Sequence, residues 1–200
     1  HDALPILRGY ATKYGEGIAG MILCGTSGEI PYLKELSEEL KKRIDEGDGD
    51  MVEERYLSDI FGWMTERIEN PRTPNDWIAG DPDIVDDHAK EPFNNFSALP
   101  NIRSLYYFIR MMETINGKEW AEKIPKSIPF YNIAGDQDPV GLYGEGVYAV
   151  SNWLAKTGHK VKTSLYSGYR HEIHNYRDIR DEVVKGIIDF INEVLDRNYN

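Results

Sequence analysis

The sequence predicts an α/β fold built on a parallel sheet, and three observations predict it. Three short apolar runs, at Met21–Cys24, Ile128–Ala134 and Val161–Tyr166, each pass into a polar turn rich in glycine, serine or aspartate, as strands buried inside a sheet do. Helically spaced apolar residues lie between and around these runs, and such alternation joins parallel strands through crossover connections. The 200 residues are 40% apolar and 12% aromatic, which suffices for one sizeable core and at most a small appended subdomain.

In chain order, Ile6, Leu7, Tyr10, Ala11 and Tyr14 share a stripe, predicting a core-facing helix that Gly15 or Gly17 ends. The first strand, Met21 to Cys24, leaves into Gly25-Thr26-Ser27-Gly28. From Glu29 to about Arg103 the character changes. A charged helix over Lys34 to Asp45 and a Gly47-Asp48-Gly49 turn precede a stretch broken by Pro71, Pro74, Pro82, Pro92 and Pro100, where regular packing is not expected. Phe61, Trp63, Trp77, Phe93 and Phe96 are scattered through it; a free linker rarely carries so many aromatics, so the segment reads as an inserted cap that folds on something.

Leu105, Phe108, Ile109 and Met112 restore a helical stripe, and the second strand closes on Gly135-Asp136. Val147, Val150, Trp153 and Leu154 form another helix face, which Gly158 ends, and the third strand follows. The last helix carries Val183, Val184, Ile187, Ile188, Ile191, Val194 and Leu195, a broad stripe suited to covering a sheet face. No internal repeat is evident.

The net charge of −11 argues against neutralising nucleic-acid phosphates or lying on anionic lipid, and favours a neutral or cationic small molecule as partner. Cys24 is the single cysteine, so no internal disulfide is possible and a cytoplasmic setting is expected. No apolar run approaches the ~20 residues of a membrane helix, so no integral membrane association is expected. The chain begins at His1, and residues upstream of it are suspected.

Ligands of open α/β sheets bind beyond the carboxyl ends of the strands. Two polar loops stand there: Gly135-Asp136-Gln137-Asp138-Pro139-Val140-Gly141 and Ser167-Gly168-Tyr169-Arg170-His171-Glu172. Asp138 could accept from one nitrogen of His171 and leave the other as a general base. On spacing alone the pair could equally be a capping aspartate and an ordinary loop histidine. His88, His159 and His174 lack metal-ligand spacing and read as surface or loop histidines, so no metal or cofactor is expected. Gly141, Gly144 and Gly146 lack the lysine and threonine of a phosphate loop and read as flexible entry to a helix. Asp81, Asp83, Asp86 and Asp87 read as a solvated surface.

The segments IPFYNIAGDQDPVG and VKTSLYSGYRHEIHNYRDIRDEVVKGIIDFI resemble the end of α/β-hydrolases of the lysophospholipase, monoacylglycerol-lipase and serine aminopeptidase S33 group. There a strand ends in G-x-x-D-P-V and the last strand leads to G-x-R-H-E. The resemblance continues upstream through LRGYATKYGEGIAGMILCGTSG and NPRTPNDW. It implies an α/β-hydrolase fold with an inserted helical cap: hydrolase core at 1–28, cap at 29–103 and core again at 104–200, with Asp138 as triad acid and His171 as triad base. The implied reaction is hydrolysis of a small, possibly lipid-like carboxylic ester without a cofactor.

In that family the opening helix follows a nucleophile elbow, G-x-S-x-G. The chain has His1-Asp2-Ala3-Leu4-Pro5 there, so Asp2 occupies the serine's place, Leu4 replaces a glycine, and the Ala3 backbone N–H falls where an oxyanion donor stands. Asp2 has three readings: an aspartate nucleophile of the dehalogenase and epoxide-hydrolase kind, a lost nucleophile in a binding protein, or an altered chain whose natural form carries serine. Strands that precede the elbow in the family are missing from this chain. Met21 is therefore expected on an apolar edge that a second copy or an N-terminal fragment covers.

Overall fold

The computed structural model describes residues 4–94 and 99–198. Its three strands are β1 (Met21–Cys24), β2 (Phe130–Gly135) and β3 (Val161–Tyr166), all parallel in the order β1-β2-β3. The central strand is buried throughout and β3 is only half-buried, as the middle and edge of a sheet require. Alternate residues serve opposite faces: Met21, Leu23 and Phe130 join one core, whereas Ile22, Cys24, Tyr131 and Ile133 join the other.

Helix α1 (Leu4–Tyr14) precedes β1, and α2 (Tyr32–Asp45), α3 (Arg55–Phe61), α4 (Pro82–Lys90), α5 (Ile102–Thr114) and α6 (Gly117–Glu122) lie between β1 and β2. The α7 helix (Glu145–Lys156) links β2 to β3, and α8 (Arg180–Asn198) follows. The larger core combines α1, α2, α3, α5, α6 and α7 with one sheet face; α8 and residues 77–85 close the other. The proline-rich stretch is more regular than expected. Asp81 accepts from the Asp83 N–H and Pro82 sits at the first helical position, so α4 starts where the sequence breaks. Asn101 caps α5 in the same way through the Ser104 N–H.

Two expected stripes are only partly right. On α1 the buried positions are Leu4, Arg8 and Ala11, while Ile6, Tyr10 and Tyr14 are exposed. The burial of Arg8 is compensated by carbonyl acceptors, which hydrophobic spacing cannot detect. On α8, Val183, Phe190 and Val194 are buried, but Val184, Ile188, Ile191 and Leu195 are exposed. The glycines around the start of α7 sit in a constrained turn. Leu142, Tyr143 and Gly144 adopt successive left-handed conformations, and Gly146 meets Gly28 backbone to backbone, where a Cβ would lie 2.6 Å from the Gly28 nitrogen. This contact fixes the start of α7 on the loop after β1.

Candidate active site

Parallel pairing brings the loops after β1, β2 and β3 to one end of the sheet. Asp138, fully buried, receives the Val140 N–H at 2.9 Å on one carboxylate oxygen, and its other oxygen lies 2.9 Å from Nδ1 of His171. A carboxylate accepts, so Nδ1 carries the hydrogen and Nε2 is the basic nitrogen. His171 is 6% exposed and lines a cavity of about 410 Å³. Gly25 lies directly beneath the pair: a Cβ there would fall 2.8 Å from His171 Cε1 and 3.4 Å from the facing Asp138 oxygen. The chain bends past the pair at this point with φ +72°.

The histidine loop is held on both sides. Toward the sheet, Gly168 N–H and Ser167 Oγ each donate to Asp136 at 2.8 Å, and the Gln137 N–H donates to the Tyr169 carbonyl at 2.9 Å. Burial alone would raise the Asp136 carboxyl, but the hydrogen bonds from Gly168, Ser167 and Gln137 outweigh it and hold the group below its ordinary range. Toward residues 76–80, Arg170 donates to the Asp76 and Ala79 carbonyls at 2.6 and 2.9 Å, Glu172 N–H donates to the Ile78 carbonyl, and Gly80 N–H donates to Tyr176. These bonds set Trp77 against His171, with ring centroids 5.2 Å apart. Trp63 instead donates to the Tyr32 hydroxyl and the Ile60 carbonyl.

Arg8, buried on α1, reaches the loop after β1. Its guanidinium donates to the Ser27 carbonyl at 2.7 Å, to Thr26, to Asn116 and to the Ile115 carbonyl, and stacks on Trp120. With no carboxylate among these partners, burial pushes its pKa down to about 9. Leu4, Ile30, Leu33, Ile60, Met64, Phe108 and Met112 make most of the cavity wall apolar. Cys24, nearby on β1, is no candidate nucleophile: burial pushes its thiol up to about 12.

Of the sequence-derived site residues, Asp138 and His171 are brought together; Asp2 and Ala3 lie outside the described residues. His88 differs from its reading as a surface or loop residue, whereas His159 is a loop residue, as read, but a buried one. His159 is buried in an edge-on ring contact with Phe130, and burial holds its imidazole below the ordinary value. His88 lies on α4, lines the cavity and faces Glu172. Glu172 directly follows His171, and that adjacency was the available signal for the second pair. Among the described residues, no three His, Cys, Asp or Glu side chains gather as a metal site requires, and no helix is long and apolar enough to cross a membrane.

No protein-family model and no curated protein matches the chain, but solved structures do. A highly thermostable carboxyl esterase from Bacillus coagulans, in complex with glycerol, superposes with a TM-score of 0.92 at 66% identity, over 95% of this chain and 61% of that one. The chain has the α/β-hydrolase fold. A lipase in its open form matches the chain at 31% identity and a TM-score of 0.84, over 95% and 62% of the two chains. A monoacylglycerol lipase from Paleococcus ferrophilus shares the fold at 17% identity and a TM-score of 0.61, over 95% and 65%. The chain thus spans about three-fifths of the length of the first two relatives, and its neighbours agree with the fold that its motifs implied.

Proposed function

We propose that the protein is a carboxylic ester hydrolase for small esters with an acyl tail, such as acylglycerols or lysophospholipids. The observation that carries this reading is the buried His171–Asp138 pair at the wall of a mainly apolar cavity. Its similarity to a carboxyl esterase and a lipase supports the same reading. Asp138 holds His171 as the Nδ1–H tautomer and stabilises the imidazolium that forms when Nε2 takes a proton. The histidine takes the proton of a hydroxyl nucleophile at the elbow and gives it to the departing alcohol, and in the second half-reaction takes a proton from water and returns it to the nucleophile as the acid leaves. The acyl tail leaves water against the apolar wall, while Trp77 and the bonds to residues 76–80 limit the movement of the base. In this proposal residues 29–103 form the cap between core segments 1–28 and 104–200, and the Ala3 N–H contributes to the oxyanion hole.

Asp2 at the serine's place favours a second reading, a binding protein that keeps the cavity without turnover. Hydrolysis of a short-chain glycerol ester by the full chain and by His171→Ala tests both, together with fluorophosphonate labelling. The hydrolase reading expects turnover that falls by about 10²- to 10⁴-fold in the variant. Turnover unaffected by His171→Ala refutes the assignment, and ligand binding with neither turnover nor labelling supports the binding protein.

A further inference from the structure

The residues on either side of His171 bind the residues on either side of Trp77. Arg170 donates to the Asp76 carbonyl at 2.6 Å, and the Glu172 N–H donates to the Ile78 carbonyl at 3.0 Å. The two segments are therefore held in register, which sets Trp77 opposite His171 with ring centroids 5.2 Å apart and planes inclined at 52°. The turn before Trp77 is fixed as well, since the Asp76 carboxylate accepts from the Arg72 N–H at 2.6 Å and from the Thr73 hydroxyl at 2.7 Å. Both rings line the cavity. A cover that only excluded water would weaken the base, because burial disfavours an imidazolium. An indole differs from an aliphatic cover: its π face is negative, and a cation within about 6 Å of the ring centroid is attracted to it.

We propose that Trp77 is a positioning residue for His171 whose indole attracts the imidazolium form of the base, so that the site is closed to water without loss of basicity. Its role in turnover rests on reading His171 as the base of an ester hydrolase; the attraction itself does not. The attraction acts when Nε2 takes a proton, and Asp138 meets the same cation from the Nδ1 side. Among the described residues, the titratable and charged groups around the two rings are Asp138, Arg170 and Glu172 on the loops, His88 on α4, Cys24 on β1 and Asp76 beside Trp77. Arg170 is spent on the Asp76 and Ala79 carbonyls, and the Asp76 carboxylate on Arg72 and Thr73. Replacing Trp77 leaves all of these side chains present, so a change in the protonation of His171 reports the indole.

The test titrates the His171 ring protons by NMR in the full chain, as wild type, Trp77→Leu and Trp77→Phe, with the resonance assigned by its loss in His171→Gln. Leucine keeps an apolar cover and removes the π face. The midpoint in Trp77→Leu is expected below that of wild type by about 0.4–1.5 pH units, with Trp77→Phe between them. In ester hydrolysis the acidic limb of kcat/KM should move to lower pH by the same amount, while the plateau falls about two- to thirtyfold. A merely steric cover would leave the midpoint in place, and one whose loss admits water would raise it; either result overturns the proposal. If Trp77→Leu does not fold, Trp77→Phe decides, and a midpoint equal to that of wild type refutes the attraction. A lowered midpoint in a chain without turnover upholds the attraction and refutes the hydrolase reading, whereas turnover with an unmoved midpoint does the reverse.

Discussion

Gly25→Ala should disable the His171–Asp138 pair while leaving the protein folded. The new Cβ would lie 2.8 Å from His171 Cε1, 2.9 Å from Nδ1 and 3.4 Å from the Asp138 oxygen. Carbon atoms pack comfortably at 3.5–4.0 Å, so relief requires a displacement of roughly 0.7–1.2 Å. The histidine loop is tied by Asp136 and Arg170, and the Asp138 side chain is fixed by the Val140 N–H, so neither side yields easily. If the ring moves away, the 2.9 Å contact opens toward roughly 3.6 Å, beyond a useful hydrogen bond. A misplacement of about 1 Å costs about 10²-fold in rate, and the left-handed backbone adds about 1–2 kcal/mol of destabilisation. Ester-hydrolysis kinetics and urea unfolding on the same preparations would measure both. A variant with kcat/KM within threefold of wild type and unchanged stability would refute the placement of His171 over Gly25.

Arg8→Met should cost about 3–5 kcal/mol in urea unfolding, because the Ser27 and Ile115 carbonyls lose their buried donor; a loss under 1 kcal/mol would contradict the clamp. The imidazole of His159 is held below its ordinary value by burial, so the unfolded chain binds the proton more readily. Its contribution to stability is present above the unfolded pKa of about 6.5 and is lost as pH falls toward the lower folded value. The melting temperature should therefore drop between pH 7.5 and 5.5, and His159→Gln should flatten that drop; parallel curves would argue against the assignment. Asp136→Ala should cost about 1–2 kcal/mol by releasing Ser167 and Gly168 and should lower kcat more than it raises KM. Since the Asp136 carboxyl is depressed in the fold, its stabilising effect should be full above about pH 4 and disappear as pH falls through the folded value, which acid titrations of wild type and variant can compare.

The strands and the two polar loops were legible because buried parallel strands leave short apolar runs ending in turn residues; Met21–Cys24 and Val161–Tyr166 have the expected bounds, and Phe130–Gly135 starts two residues late. The His171–Asp138 contact was legible from the G-x-x-D-P-V and R-H-E motifs. What spacing could not reveal was which apolar residues on α1 and α8 face outward, since Tyr10 and Ile188 look as core-like as Ala11 and Val183. Polar residues buried through partners distant in sequence were equally hidden. Arg8 donates to Ile115, more than a hundred residues away, and His88 finds Glu172 84 residues on. Gly146 suggested flexible entry to a helix, whereas its backbone meets that of Gly28 too closely for a side chain.

The anchoring of the histidine loop has a consequence for the order in which the molecule assembles. Arg170, Glu172 and Tyr176 bind the backbone at residues 76–80 across separations of 91 to 96 residues. Contacts that close so long a stretch of chain form slowly, and helices such as α2 and α8 can form before them. His171 is then positioned only once these long-range contacts have closed, after the local helices have formed. Refolding followed in parallel by far-ultraviolet circular dichroism and by ligand-sensitive tryptophan fluorescence should show the fluorescence signal lagging. Simultaneous recovery would mean that the loop and the sheet fold as one unit.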